Sequence, residues 1–312
     1  MNSFVFIGSS IYGIPALDLL IKQGFAPKLV ISQPDKPAGR KQLFCPTPVS
    51  EYARKAGLKL LTPEKINVPE VVNYITELNP DIIITASYGG YIGKQIRHLA
   101  TRRVINLHPS LLPKYRGASP IQSVLLNGEA STGTSIYRLI SELDAGPIIA
   151  QRSLDILPED NYSSLQSRLA QQAAEMLIDL MKTDSSTPFA ETPQDHKMAS
   201  LCPKIDSSTC MINWQVPASA VLNKIRAFSY IPGAWVYFRR AKLKIMEAQV
   251  TDHPVEGEHG CIARIIKNIG FTVNCLDKQL LITSVQAEGK KIMTAGAYVN
   301  GARLSTGEQL WM

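Results

Sequence analysis

The sequence lacks a long apolar run and a basic stretch at its start. No segment of the 312 residues approaches the roughly 18 consecutive apolar residues that a membrane-spanning helix needs. The first eight residues, Met-Asn-Ser-Phe-Val-Phe-Ile-Gly, have the pattern of a strand, whereas a secretory leader begins with basic residues. We therefore expect a cytoplasmic protein with no membrane-spanning segment.

Cysteine is scarce and gives no sign of pairing. The chain has 5 cysteines, an odd number, and none of them forms a Cys-x-x-Cys motif. This usage favours reduced thiols over disulfides or a zinc site. His196, His253 and His259 lie in polar, loop-like stretches without the spacing of a zinc motif. The sequence therefore predicts no metal site.

The glycine motif of dinucleotide-binding folds is also missing. The first predicted strand ends in Gly8-Ser9-Ser10, and no Gly-x-Gly-x-x-Gly follows it, which argues against a dinucleotide site. Strand-like apolar runs nevertheless alternate with segments of helical spacing. The runs cover 3–8, 28–32, 58–61, 81–86 and 104–108, and the helical segments cover 14–21, 49–56 and 68–78. This alternation predicts a doubly wound α/β domain with a mostly parallel sheet.

The second part of the chain has a different pattern. Strands at 132–140 and 147–156 and a helix at 162–182 complete the first domain, and from 183 the composition shifts to Thr, Ser, Pro, Gln and Asp. A helix at 221–228 and five short strand-like runs follow, which suggests a small β-barrel of the oligonucleotide-binding type. We therefore predict a first domain at 1–184, a linker at 185–206 and a barrel domain at 207–312.

Positive charge is concentrated in the predicted barrel. The whole chain has a net charge of +7, and residues 207–312 hold 12 Lys and Arg against 7 Asp and Glu, a net of +5. A basic barrel next to an active site is what a large nucleic-acid substrate would require.

One long segment between two predicted elements is rich in proline and glycine. Residues 33–48 contain too many of these residues for a helix or a strand, so the segment is predicted as a long surface loop. Lys36, Arg40 and Lys41 make it basic, and Phe44 supplies an apolar tip. Long loops in compact domains are usually functional or disordered. From composition alone, a substrate-binding loop and a solvated charged loop remain equally open.

The segment around residue 106 carries the chemistry. A short apolar strand ends at His108 because Pro109 has no N–H to give to a sheet. Asn106 and His108 are two residues apart and face the same side of that strand, at its carboxyl end, where parallel α/β sheets bind ligands. Asp144 follows downstream in Leu-Asp-Ala-Gly-Pro. An amide, an imidazole and a carboxylate can polarise a carbonyl and move a proton.

Less specific interpretations of these residues are also available. Asn106 and His108 could simply satisfy loop backbone groups, since short motifs often occur by chance. Asp144 could be an ordinary turn residue before Ala-Gly. As a candidate site, the Asn106–His108 pair is expected at a solvent-facing strand end.

The flanking residues favour a catalytic interpretation. The sequence Asn-Leu-His-Pro-Ser-Leu-Leu-Pro, then Arg-Gly, then Leu-Asp-Ala-Gly resembles the signature of the folate-dependent formyltransferases. The resemblance implies that Asn106, His108 and Asp144 are the catalytic set and that 10-formyltetrahydrofolate is the formyl donor. It also implies a donor site that is formed by loops at this edge and includes Tyr88, Ser110, Leu111, Leu112 and Pro113.

Further segments narrow the resemblance to one branch of that family. Gln-Pro-Asp-Lys-Pro-Ala-Gly-Arg at 33–40, Pro-Lys-Ile at 203–205, Ile-Arg-Ala-Phe at 225–228 and Glu-Gly-Lys-Lys-Ile-Met at 288–293 resemble segments of the methionyl-tRNA formyltransferases. The resemblance implies a Rossmann-like first domain, an oligonucleotide-binding-like second domain and initiator methionyl-tRNA as the acceptor in translation initiation. The implied tRNA contacts are Lys36, Arg40, Lys41, Lys290 and Lys291. No protein partner is evident.

Two other functions remain open. A formyltransferase that acts on a nucleotide-linked amino sugar would use the same three residues, and it could also carry a second domain. A non-catalytic RNA-binding protein would keep the fold without the reaction. A glycinamide ribonucleotide formyltransferase is disfavoured because the predicted second domain, residues 207–312, would have no function in it.

Overall fold

The computed structural model describes residues 3–38, 43–101, 103–183 and 188–311. The strands are β1 (Phe4–Gly8), β2 (Pro27–Ile31), β3 (Lys36–Ala38), β4 (Leu43–Cys45), β5 (Leu60–Leu61), β6 (Ile82–Ala86), β7 (Arg103–His108), β8 (Arg116–Gly117), β9 (Ser131–Arg138), β10 (Ile148–Asp155), β11 (Leu201–Cys202), β12 (Ala234–Phe238), β13 (Ala241–Val250), β14 (Ile262–Ile266), β15 (Gly270–Asn274), β16 (Gln279–Ala287) and β17 (Met293–Thr294). The helices are α1 (Ile14–Lys22), α2 (Pro48–Lys55), α3 (Pro69–Leu78), α4 (Pro120–Leu126), α5 (Tyr162–Met181), α6 (Ala218–Phe228) and α7 (Ala295–Ala302). Within these described residues, no helix has the length and apolarity needed to cross a membrane.

The chain divides into two compact units. The first unit comprises Met1–Pro120, Ser131–Asp155 and Gln166–Cys202, and the second comprises Ile121–Ala130, Ile156–Leu165 and Pro203–Met312. The two units are described separately below.

A seven-stranded sheet forms the centre of the first unit. Its strand order is β10-β9-β7-β6-β1-β2-β5. The pairs from β7 to β5 are parallel, whereas β9 runs antiparallel to both β7 and β10. Strands β1 and β6 are buried along their full length, which explains their continuous apolar sequence. The predicted α/β fold with a mostly parallel sheet is confirmed.

The helices of this unit begin and pack as their sequences indicate. Helix α2 begins with Pro48 after Thr47, whose side chain accepts a hydrogen bond from the Ser50 N–H, a common N-cap arrangement. Helix α3 places Val71, Val72 and Ile75 in a core cluster with the apolar side chains of β1 and β2. Each such side chain contributes about 1.5–3 kcal/mol when it is fully buried.

The basic segment at 33–48 differs from its prediction. Instead of a loop without secondary structure, β3 and β4 form a small antiparallel hairpin that pairs Pro37 with Phe44. Proline is tolerated here because β3 and β4 form a separate two-stranded sheet. The missing N–H of Pro37 therefore does not interrupt the hydrogen bonds of a larger sheet. Phe44 is exposed. Arg40 and Lys41 lie outside the described residues.

Part of the segment predicted as a linker packs within the first unit. The Glu191 carboxylate accepts a hydrogen bond from Arg103 Nε at 2.6 Å and another from Arg138 Nε at 3.0 Å. Thr192 exchanges backbone hydrogen bonds with Ile148, and β11 pairs with β8. The linker at 185–206 stays a prediction.

The second unit contains an antiparallel sheet. Its order is β12-β13-β16-β15-β14, and β17 pairs with β16. Helix α6 packs against β13, and α7 packs against β15 and β16. The predicted strand-rich second domain is confirmed. The sequence did not predict α7 because glycines at 296 and 301 lower its helix propensity, but Thr294 caps its start by accepting from the Ala297 N–H.

Candidate active site

A row of polar side chains crosses three strands of the main sheet. Thr85 on β6 is aligned with Asn106 on β7, and Asn106 is aligned with Tyr137 on β9. Thr85 Oγ1 lies 2.7 Å from Asn106 Oδ1 and 2.9 Å from the Ile105 carbonyl oxygen, and these two acceptors share its one hydrogen. Asn106 Nδ2 donates to the Tyr137 hydroxyl at 3.2 Å. Because an amide nitrogen carries two hydrogens, one N–H can still serve another acceptor.

His108 lies beneath the loop that follows β7 and is buried, with 4% exposure. Its Nε2 lies 2.9 Å from the Tyr115 carbonyl oxygen, and its Nδ1 lies 3.6 Å from Asp144 Oδ2. The expectation of a solvent-facing position is therefore wrong for His108. The reason is that residues 109–117 fold back over the strand end, which the pattern of the strand alone does not reveal.

Asp144 lies in the loop between β9 and β10, with its carboxylate next to the His108 ring. Its Oδ1 accepts a hydrogen bond from the Tyr137 hydroxyl at 2.6 Å, and its Oδ2 accepts one from the Gly117 N–H at 2.8 Å. Its backbone is left-handed, with φ of 46°, a conformation that Asp tolerates better than most residues. A Cβ at Gly146 would collide with the Arg138 carbonyl oxygen, so this turn requires glycine. The fold brings Asn106, His108 and Asp144 together.

Tyr137 belongs to the same cluster, although the sequence did not single it out. It is fully buried, and burial together with the nearby Asp144 charge raises the pKa of Tyr137 well above its ordinary value. The phenol therefore remains a hydrogen-bond donor at any pH at which the protein works. Its only sequence signal is its place in a strand-like run, which does not distinguish it from an ordinary core tyrosine.

Gln194 supports the loop that carries Asp144 and was also missed. Its Nε2 donates to the backbone carbonyls of Asp144 at 2.9 Å and Gly146 at 2.7 Å. Its Oε1 accepts from Arg116 Nε at 3.1 Å and from Arg116 Nη2 at 2.7 Å. Burial of both side chains makes these contacts costly to break. No sequence signal marks Gln194, because it lies in a polar stretch 48 to 78 residues from its partners.

The loop after His108 is held by buried hydrogen bonds. Ser110 is fully buried, and its hydroxyl donates to the Lys114 carbonyl at 2.8 Å. The Leu112 N–H donates to Ser135 Oγ at 3.1 Å. Leu112 is buried, whereas Leu111 and Pro113 are half-buried. Their predicted contact with the donor remains a prediction.

Tyr88 packs into the core cluster beside α3, and burial raises its pKa. It also lines a cavity of about 380 Å³, together with Lys36 and Tyr91. Its predicted role in the donor site likewise remains a prediction.

A larger cavity lies next to the Asp144 loop. Its volume is about 690 Å³, within the range of small-molecule sites. One wall is formed by Arg138, Leu139, Ile140 and Ser141, the residues that lead to Asp144, and the other residues that line it include Lys94, Arg97 and Arg103. The cavity is therefore rich in cationic side chains and suits an anionic ligand.

The described residues among those predicted to contact tRNA fall in two places. Lys36 is exposed on β3, and its Nζ donates to Gln33 Oε1 at 3.2 Å. Lys290 and Lys291 are exposed in the turn after β16, in the second unit. The predictions for Arg40 and Lys41 concern residues outside the described ranges.

Two family matches together extend over most of the chain. Residues 4–181 match the family described as Formyl transferase, and residues 204–303 match the one described as Formyl transferase, C-terminal domain. The first match contains Asn106, His108 and Asp144. The fold and the site thus define the class as a formyltransferase.

Relatives of nearly equal length refine this class. The methionyl-tRNA formyltransferase of Thermotoga maritima is 36% identical over 303 residues, covering 97% of this chain and 96% of the relative. That of Moorella thermoacetica is 36% identical over 306 residues, covering 98% of each. The chain belongs to the methionyl-tRNA formyltransferase family.

Solved structures share the fold at lower sequence identity. HypX from Aquifex aeolicus, solved in complex with tetrahydrofolic acid, has a TM-score of 0.66 and 15% identity over 99% of this chain, which spans 48% of HypX. The N-formyltransferase from Helicobacter canadensis, in complex with folinic acid and dTDP-3-aminofucose, has a TM-score of 0.67 and 18% identity, with 92% of this chain and 100% of that chain covered. These similarities concern the fold alone.

Proposed function

We propose that the protein transfers the formyl group of 10-formyltetrahydrofolate to the α-amino group of initiator methionyl-tRNA in the cytoplasm. The observation that carries the proposal is the convergence of Asn106, His108 and Asp144 in a chain related over nearly its full length to methionyl-tRNA formyltransferases. The amine nitrogen attacks the formyl carbon, and the bond from that carbon to N10 of the folate breaks. One proton leaves the amine and one is added to N10.

Asn106 and His108 stabilise the negative charge that develops on the formyl oxygen. Asn106 donates to this oxygen through the second N–H of its amide, the one that is not bound to Tyr137. For His108, the N–H at Nε2 must leave the Tyr115 carbonyl, 2.9 Å away, and turn to the substrate oxygen. The Asn106 amide is already held by protein contacts, and a donor fixed before the reaction acts strongly in a site from which water is excluded.

Asp144 faces the other ring nitrogen and serves in proton transfer. Its Oδ2 lies 3.6 Å from His108 Nδ1, so a small closing movement would complete a charge-assisted hydrogen bond. The carboxylate then stabilises positive charge on the imidazole while the amine loses its proton, either directly or through a water molecule.

The cavity beside the Asp144 loop is the proposed donor site. A folate has a flat bicyclic head and an anionic tail, and the cavity offers about 690 Å³ together with Lys94 and Arg97. Its wall at Leu139 and Ile140 is apolar and suits the ring system. In this proposal, Ser110–Pro113 form the loop between the donor and His108, and Tyr88 lies at the edge of the site.

The tRNA acceptor is supported by charge. Lys36 belongs to the basic hairpin segment, and residues 207–312 carry a net charge of +5. Exposed lysines such as Lys290 and Lys291 can neutralise phosphates of a large nucleic acid.

A direct assay tests the proposal. The protein is incubated with 10-formyltetrahydrofolate and methionine-charged initiator tRNA, and with a nucleotide-linked amino sugar in parallel. We expect formylmethionyl-tRNA as the product, with loss of activity in Asp144→Asn and wild-type activity in His253→Ala, which changes an exposed histidine of the second unit. Formylation of the amino sugar alone would overturn the proposed acceptor, and transfer to neither would overturn the proposed reaction.

A further inference from the structure

Tyr137 connects two of the three predicted catalytic residues. It accepts a hydrogen bond from Asn106 Nδ2 at 3.2 Å and donates one to Asp144 Oδ1 at 2.6 Å. The two partners are 38 positions apart in sequence. Tyr137 thus joins an amide on β7 to a carboxylate in the loop between β9 and β10.

These bonds form a chain with a single direction. The one hydrogen of the Tyr137 hydroxyl is directed to Asp144 Oδ1, because a carboxylate oxygen can only accept. The phenol oxygen therefore accepts from Asn106, so the Asn106 nitrogen faces Tyr137. Its Oδ1 faces Thr85 Oγ1, whose one hydrogen is shared with the Ile105 carbonyl. A reversed amide would place its oxygen against the Tyr137 oxygen, which would then have to direct its hydrogen away from Asp144. This series of hydrogen bonds therefore sets the orientations of the amide and the carboxylate together.

The same contact selects the carboxylate oxygen that faces the imidazole. Asp144 Oδ1 is bound by Tyr137, and Oδ2 accepts from the Gly117 N–H and faces His108 Nδ1. Two donors from different elements prevent rotation of the carboxylate. The Tyr137 ring also meets the His108 ring edge-on, with centroids 6.4 Å apart. Tyr137 thus contacts all three residues.

We propose that Tyr137 is a positioning residue for formyl transfer, which acts by holding the Asn106 amide and the Asp144 carboxylate in their reactive orientations. This inference rests on the proposed function. Tyr137 does not contact the reacting atoms in this proposal. Its loss should therefore lower the rate of the chemical step and leave the binding of both substrates unchanged.

The test compares Tyr137→Phe with the wild type and with Tyr52→Phe. Tyr52 donates to Asp18 Oδ1 at 2.8 Å, so the control also removes a Tyr–Asp hydrogen bond, but one between α1 and α2. We expect kcat of Tyr137→Phe to fall about 10- to 100-fold, as for a slight misplacement of reacting groups. The KM values of donor and acceptor should change less than about threefold, since binding contacts are retained, and Tyr52→Phe should match the wild type.

The division of the effect between kcat and KM separates positioning from a general structural role. Thr85→Val removes a hydroxyl that lies 2.7 Å from Asn106 Oδ1, and it should also lower kcat while the KM values change little. Thermal unfolding of each variant shows whether the fold is retained.

The outcomes are distinct. A Tyr137→Phe variant that retains kcat within twofold of the wild type, or that mainly raises a KM, would overturn the inference while the proposed function stands. If Tyr137→Phe does not fold, Thr85→Val decides, because unchanged kcat there would show that orientation of the amide is unimportant. A wild type that formylates neither acceptor would overturn the proposed function, and the role of Tyr137 with it.

Discussion

At the scale of single residues, the role of each candidate catalytic residue depends on which of its polar atoms already hydrogen-bond to other protein groups. Asn106 has one amide hydrogen directed to Tyr137, and His108 has oxygen acceptors near both ring nitrogens. Both residues can therefore be tested as oxyanion donors. We expect only the buried His108 to contribute to the stability of the fold as well.

We expect Asn106→Ala and His108→Ala each to lower turnover about 100- to 1000-fold, the usual effect of losing one oxyanion donor. His108→Ala should also lower the free energy of unfolding by about 1–3 kcal/mol, because buried acceptors lose their donor. Steady-state kinetics and denaturant unfolding measure both effects. Asn213→Ala, in the second unit, is the control for the amide. A variant with half of the wild-type activity would remove its residue from the catalytic set.

Asp144→Asn should lower kcat about 100- to 10,000-fold, the range of general acid–base catalysis, with little change in folate affinity. An Asn side chain has one acceptor oxygen, whereas Tyr137 and the Gly117 N–H both donate to Asp144, so one bond and the charge are lost. Kinetics and folate titration measure the two effects, with Asp179→Asn on the surface of α5 as the control. A main effect on folate affinity would make Asp144 a binding residue.

At the scale of elements, the catalytic loop is held by a segment distant in sequence. Glu191 and Gln194 precede β11, which pairs with β8 next to Gly117. A Cβ at Gly117 would collide with the Cys202 carbonyl oxygen, so the close approach of these two strands requires glycine. The position of the N–H that donates to Asp144 is therefore set by β11.

We expect Gln194→Leu to lower the free energy of unfolding by about 1–3 kcal/mol and to reduce turnover. The change leaves two backbone carbonyls and the buried Arg116 without their partner. Denaturant unfolding and steady-state kinetics measure the effects. Gln171→Leu, which removes only an exposed contact to Glu175 on α5, is the matched control. If Gln194→Leu were as stable as the wild type, the loop that carries Asp144 would not depend on Gln194 for its position.

At the scale of the whole molecule, the predicted tRNA contacts come from separate parts of the chain. If they bind phosphates, each adds about one to the slope of log affinity against log salt. Lys290→Ala with Lys291→Ala should therefore weaken tRNA binding and flatten its salt dependence by about two. Arg40→Ala should flatten it by about one and also raise the KM for tRNA.

The measurement is tRNA binding across a salt series, with folate affinity expected to stay constant. Lys278→Ala is the control for the second unit, because Lys278 is exposed but paired with Asp252 at 3.1 Å. Unchanged slopes in the other variants would mean that the positive charge is only a solvated surface. The amino-sugar acceptor would then become the leading alternative.

The sequence by itself determined most elements of the main sheet and three chemical groups of the site. The apolar run Ile82–Ala86, which is buried along its length, predicts a strand of a parallel sheet because such strands are covered on both faces and the run is too short for a typical buried helix. Asn106, His108 and Asp144 were recognisable because a local pattern surrounds each of them. The helix predicted at 68–78 from its apolar spacing is α3, Pro69–Leu78.

Only the tertiary structure decided how these groups are held. The bonds of Tyr137 to Asn106, of Gln194 to Asp144 and of Glu191 to Arg103 join residues 31 to 88 positions apart, and no local pattern records such pairings. Burial of His108 likewise depends on a loop that folds over it, and the hairpin of β3 and β4 depends on two strands that pair with each other rather than with the sheet. Local periodicity reflects which face of an element is apolar, whereas hydrogen bonds between distant elements depend on register and close approach, which exist only once the chain has folded.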